Sequence, residues 1–90
     1  MLVRLTYIFE TDGGFRYERE DPKEIMDIVR ANYKALKELV GGDGEYADWY
    51  IDETDPLMPR GIITTHLDGL WKVYKLSTTM TPVNEENPRT

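Results

Sequence analysis

Asp21-Pro22-Lys23-Glu24-Ile25-Met26-Asp27-Ile28-Val29-Arg30 opens the stretch of this chain in which apolar residues return at helical spacing. Asp21 can accept from the free N–H groups of a first turn, Pro22 suits the first helical position, and Glu24 can complete a capping box. Ile25, Ile28, Val29, Leu36, Leu39 and Val40 then fall along one stripe, with Asn32 on it and Tyr33 beside it. Gly41-Gly42 ends the run, because glycine accepts the left-handed conformation that follows a last turn. The spacing predicts a helix over Asp21 to Val40 with that stripe buried.

On both sides of this helix the period drops to two, the mark of half-buried strands. Val3, Leu5, Tyr7 and Phe9 occupy odd positions, and the pattern resumes at Phe15 and Tyr17 after Thr11-Asp12-Gly13-Gly14. Opposed residues in a hairpin share a face, so odd must pair with odd. We expect Phe9 opposite Phe15 and Tyr7 opposite Tyr17, around a three-residue loop from Thr11 to Gly13. Beyond the helix, Ala47, Trp49 and Ile51 form one strand face and Tyr46, Asp48, Tyr50 and Asp52 the other. Asp55-Pro56-Leu57-Met58-Pro59-Arg60-Gly61 reads as a loop, since its prolines cannot donate to a ladder. Ile62 to Leu67 and Leu70 to Thr78 form a second hairpin around Asp68-Gly69, a type I′ dipeptide that pairs His66 with Trp71 and Thr64 with Val73. The polar stretch Thr81 to Thr90 reads as a fraying tail, which leaves a domain over 1–80.

The order ββαβββ predicts an α+β fold, an antiparallel sheet with a single helix packed on one face. The Val3/Leu5/Tyr7/Phe9 and Phe15/Tyr17 faces should meet the helix, completed by Trp49 and Ile51. Ile8, Tyr46 and Tyr50 should then point away from it, with Trp71 a further candidate.

Composition narrows the function. Ninety residues make one domain, and eleven basic against seventeen acidic residues leave a net charge of −6. That balance argues against direct nucleic-acid binding and against docking on an anionic membrane. Cysteine is absent, so disulfides, thiolate metal sites and cysteine nucleophiles are excluded, and one histidine cannot build a multi-histidine site. The opening apolar stretch, broken by Arg4 and Thr6, is no signal peptide, and no run is long enough to span a bilayer. The expected location is the cytoplasm.

The acidity is local. From Glu38 to Asp55 the chain carries Glu38, Asp43, Glu45, Asp48, Asp52, Glu53 and Asp55 with no lysine or arginine, a charge of −7 against +1 for the rest. Like charges at close spacing repel, and a basic partner would relieve them. Tyr46, Asp48, Tyr50 and Asp52 share a strand face, and an acid–aromatic face can meet arginine by carboxylate pairing and by stacking. Glu38, Asp43, Glu45, Tyr46, Asp48, Tyr50, Asp52, Glu53 and Asp55 are therefore the candidate partner-binding residues. The plain alternative is a solvated edge that keeps the chain soluble.

The expected function is a non-enzymatic protein–protein interaction module that docks a basic partner. Its sharpest version is an inhibitor whose carboxylates mimic nucleic acid and block a nucleic-acid-binding protein or nuclease. The runner-up is a homodimer or larger homo-oligomer built on the uncovered sheet face, with no electrostatic partner. A metal-dependent or other enzyme stands third. Asp52-Glu53-x-Asp55 and Asp43-x-Glu45 offer hard oxygen ligands, but the calcium-loop spacing is missing, so no metal and no cofactor is expected. Ser77 lacks a nucleophile elbow, and His66 on a strand beside an aromatic is more often packing than catalysis. Leu57 and Met58, held between Pro56 and Pro59, are either a cover for the core edge or an apolar anchor for a partner.

Overall fold

The structure is a computed structural model that describes residues 2–83. Strands β1 (Val3–Thr11) and β2 (Arg16–Arg19) precede helix α1 (Pro22–Leu39), and β3 (Tyr46–Asp52), β4 (Arg60–Leu67) and β5 (Leu70–Pro82) follow it. The strands form one antiparallel sheet in the order β2-β1-β5-β4-β3, and α1 packs on it to give an α+β fold.

The helix begins as its sequence dictates. An Asp21 carboxylate oxygen accepts from the Lys23 N–H at 2.9 Å, and Pro22 takes the first helical position. Glu24 does not close a capping box; its carboxylate turns instead to Arg19 at the end of β2, 3.2 Å away. Ile25 and Val29 are fully buried, joined by Met26, which the apolar stripe had left out. At the other end Leu39 is 67% exposed. There the stripe leaves the core and lines a shallow open groove with Leu36, Leu67 and Leu70.

Tyr7 and Phe9 from β1, Ala47 and Ile51 from β3, Ile63 from β4, and Tyr74 and Leu76 from β5 complete the buried layer beneath the helix. Val3, expected in that layer, is largely exposed where β1 ends opposite Pro82. The Tyr7 hydroxyl donates to the Leu57 carbonyl at 2.7 Å. Burial, reinforced by Asp55 and Asp21, raises the pKa of this phenol above the ordinary tyrosine value.

Two hairpin registers were expected, and one is corrected. Asp68 and Gly69 both have positive φ, as a type I′ turn requires, and His66 pairs with Trp71 and Thr64 with Val73. In the first hairpin Phe9 faces Tyr17 and Tyr7 faces Arg19, two residues from the expected pairing. The loop is Asp12 to Gly14, closed by Thr11 N–H donating to Phe15 at 3.1 Å, with Gly13 left-handed. Odd still meets odd, so the same side chains reach the core. Phe15 packs diagonally on Phe9, with ring centroids 5.4 Å apart.

The tail is also corrected. Thr81 pairs with Arg4 and Pro82 with Val3, so both belong to β5, and Val83 N–H donates to Leu2 at 3.0 Å. The long β1 needs a partner along its whole length, and an extended polar segment supplies one despite its composition. The remainder of the expected tail, 84–90, lies outside the described residues. Among the described residues no helix is long and apolar enough to cross a membrane.

Candidate protein-docking face

One sheet face is covered by α1 and the other is not. The registers place Tyr46, Asp48, Tyr50 and Asp52 of β3 on the open face, beside Arg60, Ile62, Thr64 and His66 of β4. Trp71, Val73, Lys75 and Ser77 of β5 and Ile8 of β1 lie on it too. Ile8, Tyr46, Tyr50 and Trp71 therefore point away from the helix, as their alternation requires. β3 is an edge strand, so its acid–aromatic strip borders solvent on two sides.

The apolar content of this face is large for an uncovered surface. Trp71 is 70% exposed, Tyr50 60% and Val73 53%, where solvated sheet faces ordinarily carry polar side chains. Trp71 stacks on His66 with ring centroids 4.2 Å apart, and Tyr46 meets Trp71 edge-on at 5.8 Å. His66 Nδ1 lies 2.8 Å from the Gly44 carbonyl, which holds the imidazole against the loop before β3. His66, Trp71 and Val73 were absent from the candidate partner-binding set. The Asp68-Gly69 turn did place His66 opposite Trp71; the alignment of Tyr46 with His66 needed the β3–β4 register, which no turn between those strands encodes.

The seven acids do not act as one group. Glu45 fastens its own loop: its carboxylate accepts from Gly41 N–H at 3.2 Å, Gly42 N–H at 2.9 Å and Asp68 N–H at 3.0 Å. The bond from Asp68, then those from Gly42 and Gly41, hold this carboxyl below its ordinary value of 4.5. Asp52 accepts from the Thr54 hydroxyl at 2.7 Å and from the Thr54 N–H at 2.9 Å, bonds that lower its pKa below 3.8. Asp55 accepts from Leu57 N–H, and Glu53 pairs with Arg30 of α1 at 2.9 Å. Glu38, Asp43 and Asp48 make no hydrogen bond or ion pair with a described residue. Of these three, Asp48 alone stands on the open face, between Tyr46 and Tyr50.

Leu57 and Met58 divide. The Tyr7 hydroxyl and the Asp55 carboxylate tie down the Leu57 backbone, while its side chain remains 60% exposed. Met58 is half-buried and borders an apolar hollow with Ile62 and the stems of Arg60 and Lys75. Among the described residues no three histidine, aspartate or glutamate side chains are gathered as metal ligands would be.

The Glu45 fastening predicts a pH response. Its folded pKa is depressed, so its contribution is fully present above the ordinary 4.5 and is lost as pH falls through the lower folded value. Asp52 behaves alike from 3.8 downward. The melting temperature should therefore fall as pH drops below about 4.5. Glu45→Gln, which keeps an oxygen acceptor but cannot titrate, should flatten part of that slope in thermal scans. An unchanged slope would show that these three bonds do not contribute.

No protein-family model, no curated protein and no solved structure matches this chain at a significant level.

Proposed function

We propose that this chain is a non-enzymatic protein–protein interaction module that docks a basic protein surface through the open-face strip of β3. The observation that carries the reading is the Asp48 carboxylate, without a partner among the described residues and flanked by Tyr46 and the exposed Tyr50. Trp71 and Val73 lie two strands away on the same uncovered face. Carboxylates beside aromatic rings suit cationic side chains, and adjoining apolar residues supply the area that charge alone does not. Blocking a nucleic-acid-binding protein by mimicry is one form of this docking, and competition by duplex DNA for the same partner tests that form.

Asp48→Lys tests the reading. The side chain is exposed and bonded to nothing described, so stability should change by no more than about 0.5 kcal/mol. Capture of a basic partner should weaken by about 2–5 kcal/mol if the carboxylate is buried against a cation in the complex. Asp52 is unsuitable for the same test, because reversing it would also break the Thr54 turn. Asp12→Lys, in the distant β1–β2 turn, is the control. Affinity measured by titration calorimetry that is equal for wild type and Asp48→Lys would make the strip a solvated edge.

A further inference from the structure

We propose that a second copy of this chain supplies the basic surface, so that two open faces pack about a two-fold axis running along β4. The proposal rests on the docking reading above and names the partner for the same strip.

The motive is self-complementarity. β4 has β3 on one side and β5 on the other, and β3 and β5 run in the same direction. A two-fold axis along β4 lays each β3 over the partner subunit's β5 with strand direction and row height preserved. The paired registers put Tyr46, His66 and Trp71 in one row, Asp48, Thr64 and Val73 in the next, and Tyr50, Ile62 and Lys75 in a third. Across the axis, Tyr46 therefore meets Trp71 of the other copy, and Tyr50 meets Lys75. Asp48 and Asp52 lie one row to either side of Tyr50, so the lysine arrives over a tyrosine ring flanked by two carboxylates. Ile62 meets its own equivalent on the axis.

Lys75 is available for this role. It makes no ion pair with a described residue, because Glu10, its cross-strand neighbour on β1, pairs with Arg16 at 3.5 Å. The bases farther across the same face are engaged: Arg16 also holds Glu18 at 2.9 Å, and Arg4 holds Glu20 at 4.0 Å. Lys75 thus meets Tyr50 of the other copy, one row from the unpartnered Asp48, while Arg60 of β4 meets its own equivalent on the axis. The contact is small, because only β3, β4 and β5 overlap about this axis. Three strands about 4.8 Å apart and about 3.4 Å per residue over the seven residues of β3 give about 350 Å² in projection, below the roughly 800 Å² per subunit of a stable interface, so the expected dimer is weak and reversible. A two-fold contact closes on itself and buries both exposed tryptophans at once.

Sedimentation equilibrium of the full chain tests the proposal. The expected result is a reversible shift from the 10.5 kDa chain mass toward twice that value over micromolar to millimolar concentration. Trp71→Asp should leave a folded monomer by circular dichroism. Lys75→Glu and Asp48→Lys should each weaken dimerisation by about tenfold or more, and the double exchange in one chain should recover most of the loss, because each swapped pair re-forms across the interface. A mass of 10.5 kDa at every concentration overturns the second-copy assignment, as does a dimer indifferent to Trp71→Asp and to both charge reversals. A strictly monomeric chain that still loses a heterologous basic partner on Asp48→Lys overturns this inference and leaves the docking reading standing.

Discussion

Gly61→Ala is expected to destabilise the domain by about 3–5 kcal/mol, among the largest effects a single methyl group can have here. Gly61, the second residue of β4, lies opposite Ile51 with φ at +142°, a region L side chains rarely adopt. A Cβ there would collide with the Tyr50 carbonyl oxygen and lie 2.8 Å from Ile51 Cα. Both obstacles are backbone, so no side chain can swing aside. The edge strand itself must move, and with it the strip that carries Asp48. Urea denaturation should show a lower midpoint with the slope preserved if the whole domain responds, or a changed slope if β3 detaches first. Gly41→Ala, with nothing within 4 Å of the added carbon, serves as the control and should shift stability little. A Gly61→Ala cost under about 1 kcal/mol would mean that β3 and β4 are not held as closely as the structure places them.

Phe9→Ala should cost about 3–5 kcal/mol, from lost burial plus the cavity left behind. Phe9 is completely buried against Phe15 at 5.4 Å and Tyr74 at 6.4 Å, two rings that also stack on each other at 5.8 Å. Phe15 immediately precedes β2 and Tyr74 belongs to β5, so the ring joins the first hairpin to the second. Domains of this size are stable by only about 5–15 kcal/mol, and this one substitution consumes a large share of that margin. Phe15→Ala removes a partly exposed ring and should cost less. If Phe9→Ala and Phe15→Ala were equally mild in urea, the aromatic cluster would not be the centre of the core.

What the residues reveal on their own depends on the range of the signal. Helix α1 and the Asp68-Gly69 hairpin were legible because a cap, a stripe and a turn dipeptide act within a few residues. The first hairpin was legible only in parity: a slip of two residues preserves every face, so alternation cannot choose between Phe9–Phe15 and Phe9–Tyr17. The Thr79-Met80-Thr81 extension was hidden for the opposite reason. It carries no alternating apolar face to mark it, and only the distant β1 makes it a strand. The candidate face shows the same division. The Tyr46/Asp48/Tyr50/Asp52 strip was readable from its period, whereas the bond that Glu45 accepts from Asp68 joins segments that no local pattern connects. Seven acids close together in the chain thus resolve into loop fasteners, an ion pair and a few free carboxylates.

The strand order also governs when the domain can form during synthesis. β2, α1 and the turns complete themselves from nearby residues, but β1, among the first segments made, finds its long partner only in β5, the last strand of the sheet. Until β5 has left the ribosome, β1 presents an open flank and the Phe9 ring lacks Tyr74. The two halves of the sheet, β1–β2 and β3–β4–β5, join along this one ladder. A ribosome stalled before Pro82 would therefore hold a chain with its helix made and its sheet still in two pieces.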